Sequence, residues 1–247
     1  MIEKLQIYFK RNRKMKAKRL WLLFLFIGFC VTAQIKDIDQ NSKLVPIQIK
    51  EVQIENPRAS LTNELAKFDK NKVHFYYGLG TDQYSLAKFF VFNDTIKQTP
   101  FLKSITIDTK GYKRTSSVKI RIMTADEDGN PATDLINEDL ILKVKKGHRK
   151  SELDVSKYKL KIDEEGIFVV IELLKIKDNE YYYYDRNKKK YVNYSPAIGA
   201  LPSEQKTLWI YNKEWKRRVN RDPYDYEDQR EYYNKFIELA ISLKLTN

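Results

Sequence analysis

Alternation of apolar and polar residues, the signature of half-buried strands, runs along most of this chain. Val45, Ile47 and Ile49 alternate with polar residues, and Val52 and Ile54 resume one step out of phase, which predicts a bulge. Val73, Phe75, Tyr77 and Leu79 predict a second strand, and FFVF at 89–92 a third. Ile105 and Ile107 follow, then Val118, Ile120 and Ile122 set against Lys119, Arg121 and Met123. Leu140, Leu142 and Val144 form the next run, and Tyr158, Leu160 and Ile162 alternate with lysines. IFVVIELL (167–174) is apolar on both faces and reads as a central strand; LWIY (208–211) is short. Ile237, Leu239, Ile241, Leu243 and Leu245 make the cleanest run, at the C-terminus.

Turn residues separate these runs. Asp128-Gly129-Asn130-Pro131, Lys146-Gly147-His148, Glu165-Gly166 and Asp178-Asn179 each predict a reversal. Two short helices are expected: one over 58–69, from Leu61, Leu65 and Phe68, and one over 223–233, from Asp222-Pro223. The fold class is therefore all-β, an antiparallel sandwich of jelly-roll type, expected as a single domain over 45–247.

The first 33 residues carry a different signal. Eight Lys or Arg against Glu3 precede the apolar run Leu20–Ala33, after which the chain turns polar at Gln34. This pattern is that of a secretory signal peptide cleaved between Ala33 and Gln34, with Met1 or Met15 as the start. A bilayer span needs roughly 20 apolar residues, more than this run offers. Cys30 follows Phe29 rather than a small residue, which argues against lipid attachment. Residues 34–44 are polar and expected to be loose. The sequence thus predicts export, to the periplasm, the outer-membrane surface or the medium, with membrane contact only through the leader.

Removing the leader changes the charge. The chain is +13 overall; eight bases less one acid give the leader +7 and leave +6. Much of the apparent affinity for nucleic acid goes with it, and no nucleic-acid partner is expected. Cys30 is the single cysteine, so the remainder has no disulfide or thiol nucleophile. His74 and His148 have no sequence neighbours at metal-ligand spacing and read as a strand and a turn histidine. No nucleophile elbow, phosphate loop or dinucleotide fingerprint is present. No catalytic residue, cofactor or metal is expected. Asp126-Glu127-Asp128-Gly129-Asn130 lacks the later Glu of a calcium loop and reads as a hairpin turn. Glu172 interrupts the central strand, where it is either a half-buried carboxylate of functional interest or one that faces solvent or an Arg across the sheet.

Tyrosine supplies the candidate binding surface. Tyr181–Tyr184, Tyr191 and Tyr194 flank Asn187-Lys188-Lys189-Lys190, and Trp209 and Trp215 follow. Aromatic faces stack on sugar rings, so Tyr181, Tyr183, Tyr191, Tyr194 and Trp209 are candidate ligand contacts. A plain hairpin with a turn at 185–188 is the structural alternative.

The segment VKIRIMTADEDGNPATDLINEDLILKVKKG, with LDVSKYKLKIDEEGIFVVIELLKI, resembles the β-sandwich region of exported bacterial proteins of the carboxypeptidase-regulatory-like-domain group. The matching features are Arg121, Asp128-Gly129-x-Pro131, Asp134-Leu135, Asp154-x-Ser156-x-Tyr158, Gly166, Glu172-Leu173 and the closing FIELAISLKLTN. The resemblance covers 86–175 and 236–247. It implies a non-catalytic, envelope-associated protein, although the regulatory-like domain itself has no room between Gln34 and Phe75. The expected function is non-enzymatic binding of a carbohydrate or another envelope component. A polysaccharide hydrolase or lyase using Glu172 or another acid, and an accessory subunit of an envelope protein complex, are the alternatives.

Overall fold

The computed structural model describes residues 56–79, 84–221 and 227–247. The signal peptide, the 34–44 segment and the strand and bulge expected over 45–54 lie outside the described residues. What is described is all-β and antiparallel, as the alternation predicts. The strands are β1 (Thr62–Leu65), β2 (Phe75–Leu79), β3 (Ser85–Phe90), β4 (Phe101–Ala125), β5 (Pro131–Asp134), β6 (Leu140–Asp154), β7 (Ile167–Leu173), β8 (Glu180–Tyr184), β9 (Lys190–Ser203), β10 (Leu208–Asn212), β11 (Glu214–Arg217), β12 (Phe236–Leu239) and β13 (Ile241–Thr246). A single α-helical turn, α1 (Asp94–Gln98), is capped by Asn93, whose side chain accepts from the Ile96 amide.

One continuous hydrogen-bonded sheet folds over on itself. One layer runs β11-β10-β3-β7 and then joins the C-terminal half of β4; the other runs β1-β13 and joins its N-terminal half. In the second layer, β9 pairs with β12, β2 and β8 and touches β4 at Thr109 and Lys110. Ile105, Ile107, Val118, Ile120, Leu142, Val169, Ile171, Ile198, Ile241, Leu243 and Leu245 meet in one core between the layers.

The two runs around Ile105 and Val118 are one strand of 25 residues, paired along its length with β6. From 104 to 111 the odd positions of β4 face the core, and after 117 the even ones do. On β6 the change is the same, from even (Leu142, Val144) to odd (Ser151, Leu153). Both strands change phase where Gly111 opposes Gly147 and the register shifts. Because side chains alternate with period two, an irregularity there is what lets one hairpin turn the same surface to the core in both layers. Gly147 takes φ +97°, and a Cβ on Gly111 would strike the Lys145 carbonyl. Lys146-Gly147-His148 is thus a mid-strand irregularity, not the reversal expected from its turn residues.

Four other expectations need correction. Residues 58–69 form no helix: Thr62–Leu65 pairs with β13 as an edge strand, because pairing satisfies four residues that an isolated helical turn leaves unsatisfied. The 158–162 alternation gives a 3-10 turn at Ser156–Tyr158 and a single bridge, Phe101 to Lys161. In the 223–233 region, Glu227–Tyr232 is 3-10, and residues 222–226 lie outside the described residues. The C-terminal run breaks at Ala240: β12 pairs with β9, and β13 with β4 and β1.

At that break the core contains a charge. Lys88 lies on the core-facing side of β3, 3% exposed. Its Nζ donates to the carbonyls of Leu239 (3.0 Å) and Ile241 (3.3 Å) and sits 3.6 Å from Glu238 Oε2. Burial lowers the Lys88 pKa, and Glu238 partly restores it. Replacing Lys88 by Met preserves the stem but strands two buried carbonyls. The expected cost is about 2 kcal/mol or more, read as a lower midpoint with an unchanged slope in urea denaturation.

Candidate functional site

Outward positions of the β7 layer form a grid in which each row crosses several strands. Glu172 on β7 lies between Lys119 of β4 and Ser85 of β3; Ser85 opposes Tyr211 of β10, which opposes Trp215 of β11. The next row is Arg121, Val170, Ala87, Trp209 and Arg217. The third is Met123, Phe168 and Phe89. At one end the grid is closed by its own packing. Phe168 meets Phe89 at 4.7 Å and Trp209 edge-on at 4.9 Å, and the Arg217 guanidinium lies 4.7 Å over Trp209.

The other end is open. A cleft of about 530 Å³ is lined by Tyr84, Ser85, Arg121, Glu172, Tyr211 and Trp215, with Met123, Pro131, Ala132, Asn212 and Lys213 around them. Tyr211 and Trp215 sit 5.1 Å apart at 56° and form an aromatic wall. Arg121 is held by Asp134, Nε to Oδ1 at 2.9 Å and a terminal nitrogen to Oδ2 at 2.7 Å. The Asp134 hydrogen bonds, with Glu172 nearby, raise the Arg121 pKa above its ordinary value. Glu172, read from sequence as facing solvent or an arginine, stands half-buried between Lys119 and Arg121. It is the one carboxylate lining the cleft among the described residues.

The tyrosine segment is the hairpin that the sequence offers as its structural alternative, β8 against β9, turning at 185–188 with Asp185 Oδ1 accepting from the amides of Asn187 and Lys189. Tyr181, Tyr183 and Tyr191 share one face. Tyr183 stacks on Tyr191 at 5.3 Å and 18°, and Tyr181 stacks on Tyr112 at 4.7 Å and 12°. Lys189 lies 5.2 Å over Tyr191, and Lys110 5.9 Å over Tyr112. Each stack takes one face of each ring, and the lysines lie over Tyr191 and Tyr112; the Tyr191 hydroxyl donates to Asp185 Oδ2 at 3.1 Å. Tyr194 points to the other face and packs against the core. Trp209 is 4% exposed in the Phe168 cluster. The fold therefore joins Tyr181, Tyr183 and Tyr191, and leaves Tyr194 and Trp209 apart from them, each packed against core residues.

His148 has a partner that its sequence neighbours do not reveal. Asp108, fully buried and 40 residues away, places both oxygens on His148 Nε2, at 3.0 and 2.8 Å. Burial raises the Asp108 pKa, and His148 opposes that shift. Tyr76 packs edge-on to the imidazole at 5.6 Å. Among the described residues no cluster of three or more His, Cys, Asp or Glu can hold a metal. The 126–130 segment is a turn, with the Asn130 amide donating to Asp126 Oδ1 at 2.7 Å.

No protein-family model matches the chain, and no curated protein matches it. Among solved structures it is similar to a clostridial cysteine protease, Cwp84, after propeptide cleavage, with TM-score 0.41 and 12% identity over 75% of this chain and 40% of that one. It is also similar to the cysteine protease and lectin-like domains of Cwp84, a surface layer associated protein of Clostridium difficile. There the TM-score is 0.36 and the identity 13%, over 67% of this chain and 32% of that one. The chain spans less than half the length of either.

Burial pushes Tyr181 up to about 12, with Tyr112 and Tyr183 adding to the shift, and pushes Tyr84 up to about 12, with Tyr77 adding. The folded chain holds these protons more tightly than the unfolded one. Their contribution to stability is therefore complete below pH 10 and lost as pH rises through about 12. In an alkaline titration of tyrosinate absorbance, Tyr112→Ala is expected to uncover Tyr181 and move one late-titrating phenol back towards the ordinary range.

Proposed function

We propose that this chain is an exported, non-enzymatic β-sandwich that binds a carbohydrate or a related envelope component in the cleft walled by Tyr84, Tyr211 and Trp215. The observation that carries this reading is the cleft itself: an aromatic wall facing polar groups that are already held in place. A sugar ring has an apolar C–H face and a rim of hydroxyls. Tyr211 and Trp215 suit the first, and Ser85, Arg121, Glu172 and Asn212 suit the second. Asp134 fixes the Arg121 guanidinium before any ligand arrives, which lowers the ordering cost of binding. The cleft volume lies within the few hundred to about 1,000 Å³ usual for small-ligand sites. Export rests on the basic head and apolar run of residues 1–33.

The tyrosine hairpin serves this reading less well: a neighbouring ring takes one face of each of Tyr181, Tyr183 and Tyr191, and a lysine ammonium lies over Tyr191. The hydrolase or lyase alternative has less support too: a glycosidase pair needs two carboxyl groups about 5–10 Å apart, and among the described residues Glu172 is the one carboxylate in the cleft lining.

Retention on a panel of immobilised polysaccharides tests the proposal. Trp215→Ala with Tyr211→Ala is expected to weaken binding at least about tenfold, whereas Tyr181→Ala with Tyr183→Ala leaves it within about twofold. Equal loss in both variants, or no retention of the parent protein on any glycan, overturns the assignment of the cleft. Release of reducing or unsaturated sugar ends by the parent protein overturns its non-enzymatic part.

A further inference from the structure

The phase change that turns both halves of the β4–β6 hairpin to the core also gathers lysines on the hairpin's outer surface. Lys143 and Lys145 alternate with the core residues Leu142 and Val144 and so face outward. Past the Gly111–Gly147 irregularity, His148 and Lys150 face outward, opposite Lys110 and Asp108. Lys146 is exposed at the irregularity itself. Residues two apart on a strand lie about 6.6 Å apart along it, so the ammonium groups are spaced as a stripe rather than a clump.

Little negative charge answers them. Among the described residues Lys110, Lys143, Lys145 and Lys146 make no ion pair. Asp108 is fully buried and committed to His148. Lys150 donates to the Phe68 carbonyl at 2.7 Å. The stripe ends at Lys119, which Asp139 neutralises at 2.6 Å, and at Glu152, which accepts from Ser104. At Lys110 it runs into the tyrosine row: the ammonium lies 5.2 Å from Tyr76 and 5.9 Å from Tyr112, and Tyr112 stacks on Tyr181.

We infer that this face, distinct from the cleft, is a docking surface for an acidic polysaccharide, a chain bearing carboxylate or sulfate groups. Unpaired like charges on one sheet face repel each other and raise a local positive potential, and a polyanion relieves both. A linear polymer fits a stripe better than a single small anion does. The tyrosine row decides which polyanion. Binding single-stranded nucleic acid uses aromatic faces on which bases stack, and here each of Tyr112, Tyr181, Tyr183 and Tyr191 has one face taken by a neighbouring ring, while Tyr112 and Tyr191 also carry a lysine ammonium. A polymer of hydroxyls and carboxylates needs no such stacking and engages the lysine stripe through charge and hydrogen bonds.

The test compares three probes for the purified protein at low and high salt: polygalacturonate, neutral dextran, and a single-stranded oligonucleotide of similar charge. Polygalacturonate is expected to bind, to lose affinity steeply as salt rises, and to exceed the oligonucleotide; dextran is expected not to bind here. Lys143→Gln, Lys145→Gln and Lys146→Gln together are expected to weaken polygalacturonate binding at least about tenfold while leaving the thermal midpoint unchanged, since all three are exposed. Trp215→Ala is expected to leave it intact, which separates this surface from the cleft. Absence of polygalacturonate binding at low salt, retention of it in the triple variant, or equal or tighter binding of the oligonucleotide each overturns the inference.

Discussion

The ammonium of Lys88 is the constraint around which the two layers are joined. A lysine stem entering the core from β3 is costly to bury, and it is placed where the C-terminal segment leaves one neighbour for another. At Ala240 the chain stops pairing with β9 and begins pairing with β4; the Ala240 amide donates to Gly199 and its carbonyl accepts from Asp108. The carbonyls on either side, Leu239 and Ile241, take their donors from Lys88. A side chain of one layer thereby completes the backbone hydrogen bonding of the other. An apolar residue at 88 would pack as well but would leave the switch unsatisfied, and the switch is what closes β13 onto β4 and β1.

The second constraint is the phase of β4 and β6. A strand of 25 residues cannot serve two layers of a sandwich with an unbroken alternation, because the twist and fold between layers change which side faces inward. Gly111 and Gly147 absorb the change together, one through close approach to the Lys145 carbonyl and one through positive φ. Everything on the outer surface follows from that adjustment. Arg121 and Met123 reach the cleft because the half after residue 117 has its odd positions outward, and Lys110 and Asp108 point away from the core because the stretch from 104 to 111 has its even positions outward.

This explains what was legible in the sequence. Strand existence was, because alternation is local: IFVVIELL, LWIY and the 140–144 run stand where they were expected, and so does the hairpin turn at 185–188. Pairing overrode the weaker local signals. Leu61, Leu65 and Phe68 have helical spacing, but Thr62–Leu65 gains more by extending the sheet beside β13. Gly147 carries a turn signal and uses its left-handed conformation inside a strand. The cleft was not legible, since Tyr84, Arg121, Glu172 and Trp215 come from β4, β7, β11 and the approach to β3, and only register sets them in adjoining rows. Trp215 and Tyr211 could have been paired from the alternation through 208–217, had a reversal at Lys213 been recognised; its φ of +70° is the kind of conformation that Gly or Asn usually signals.

Aromatic abundance and aromatic availability also separate here. The segment 179–196 is the richest in tyrosine, yet Tyr181, Tyr182, Tyr183 and Tyr191 are engaged with other rings or with lysines, while Tyr211 and Trp215, in the stretch LWIYNKEW, line the cleft. A ring offers a ligand its face only if no neighbour has taken it, and in a two-stranded ribbon the cross-strand partner is the nearest candidate. Tyr211 and Trp215 are also cross-strand partners, but they meet tilted at 56° rather than in a parallel stack, and with Ser85 and Glu172 beside them in the row they border the cleft. The stacked row contributes instead as a rigid rim, holding Tyr112 and Lys110 in fixed positions beside the lysines of β6.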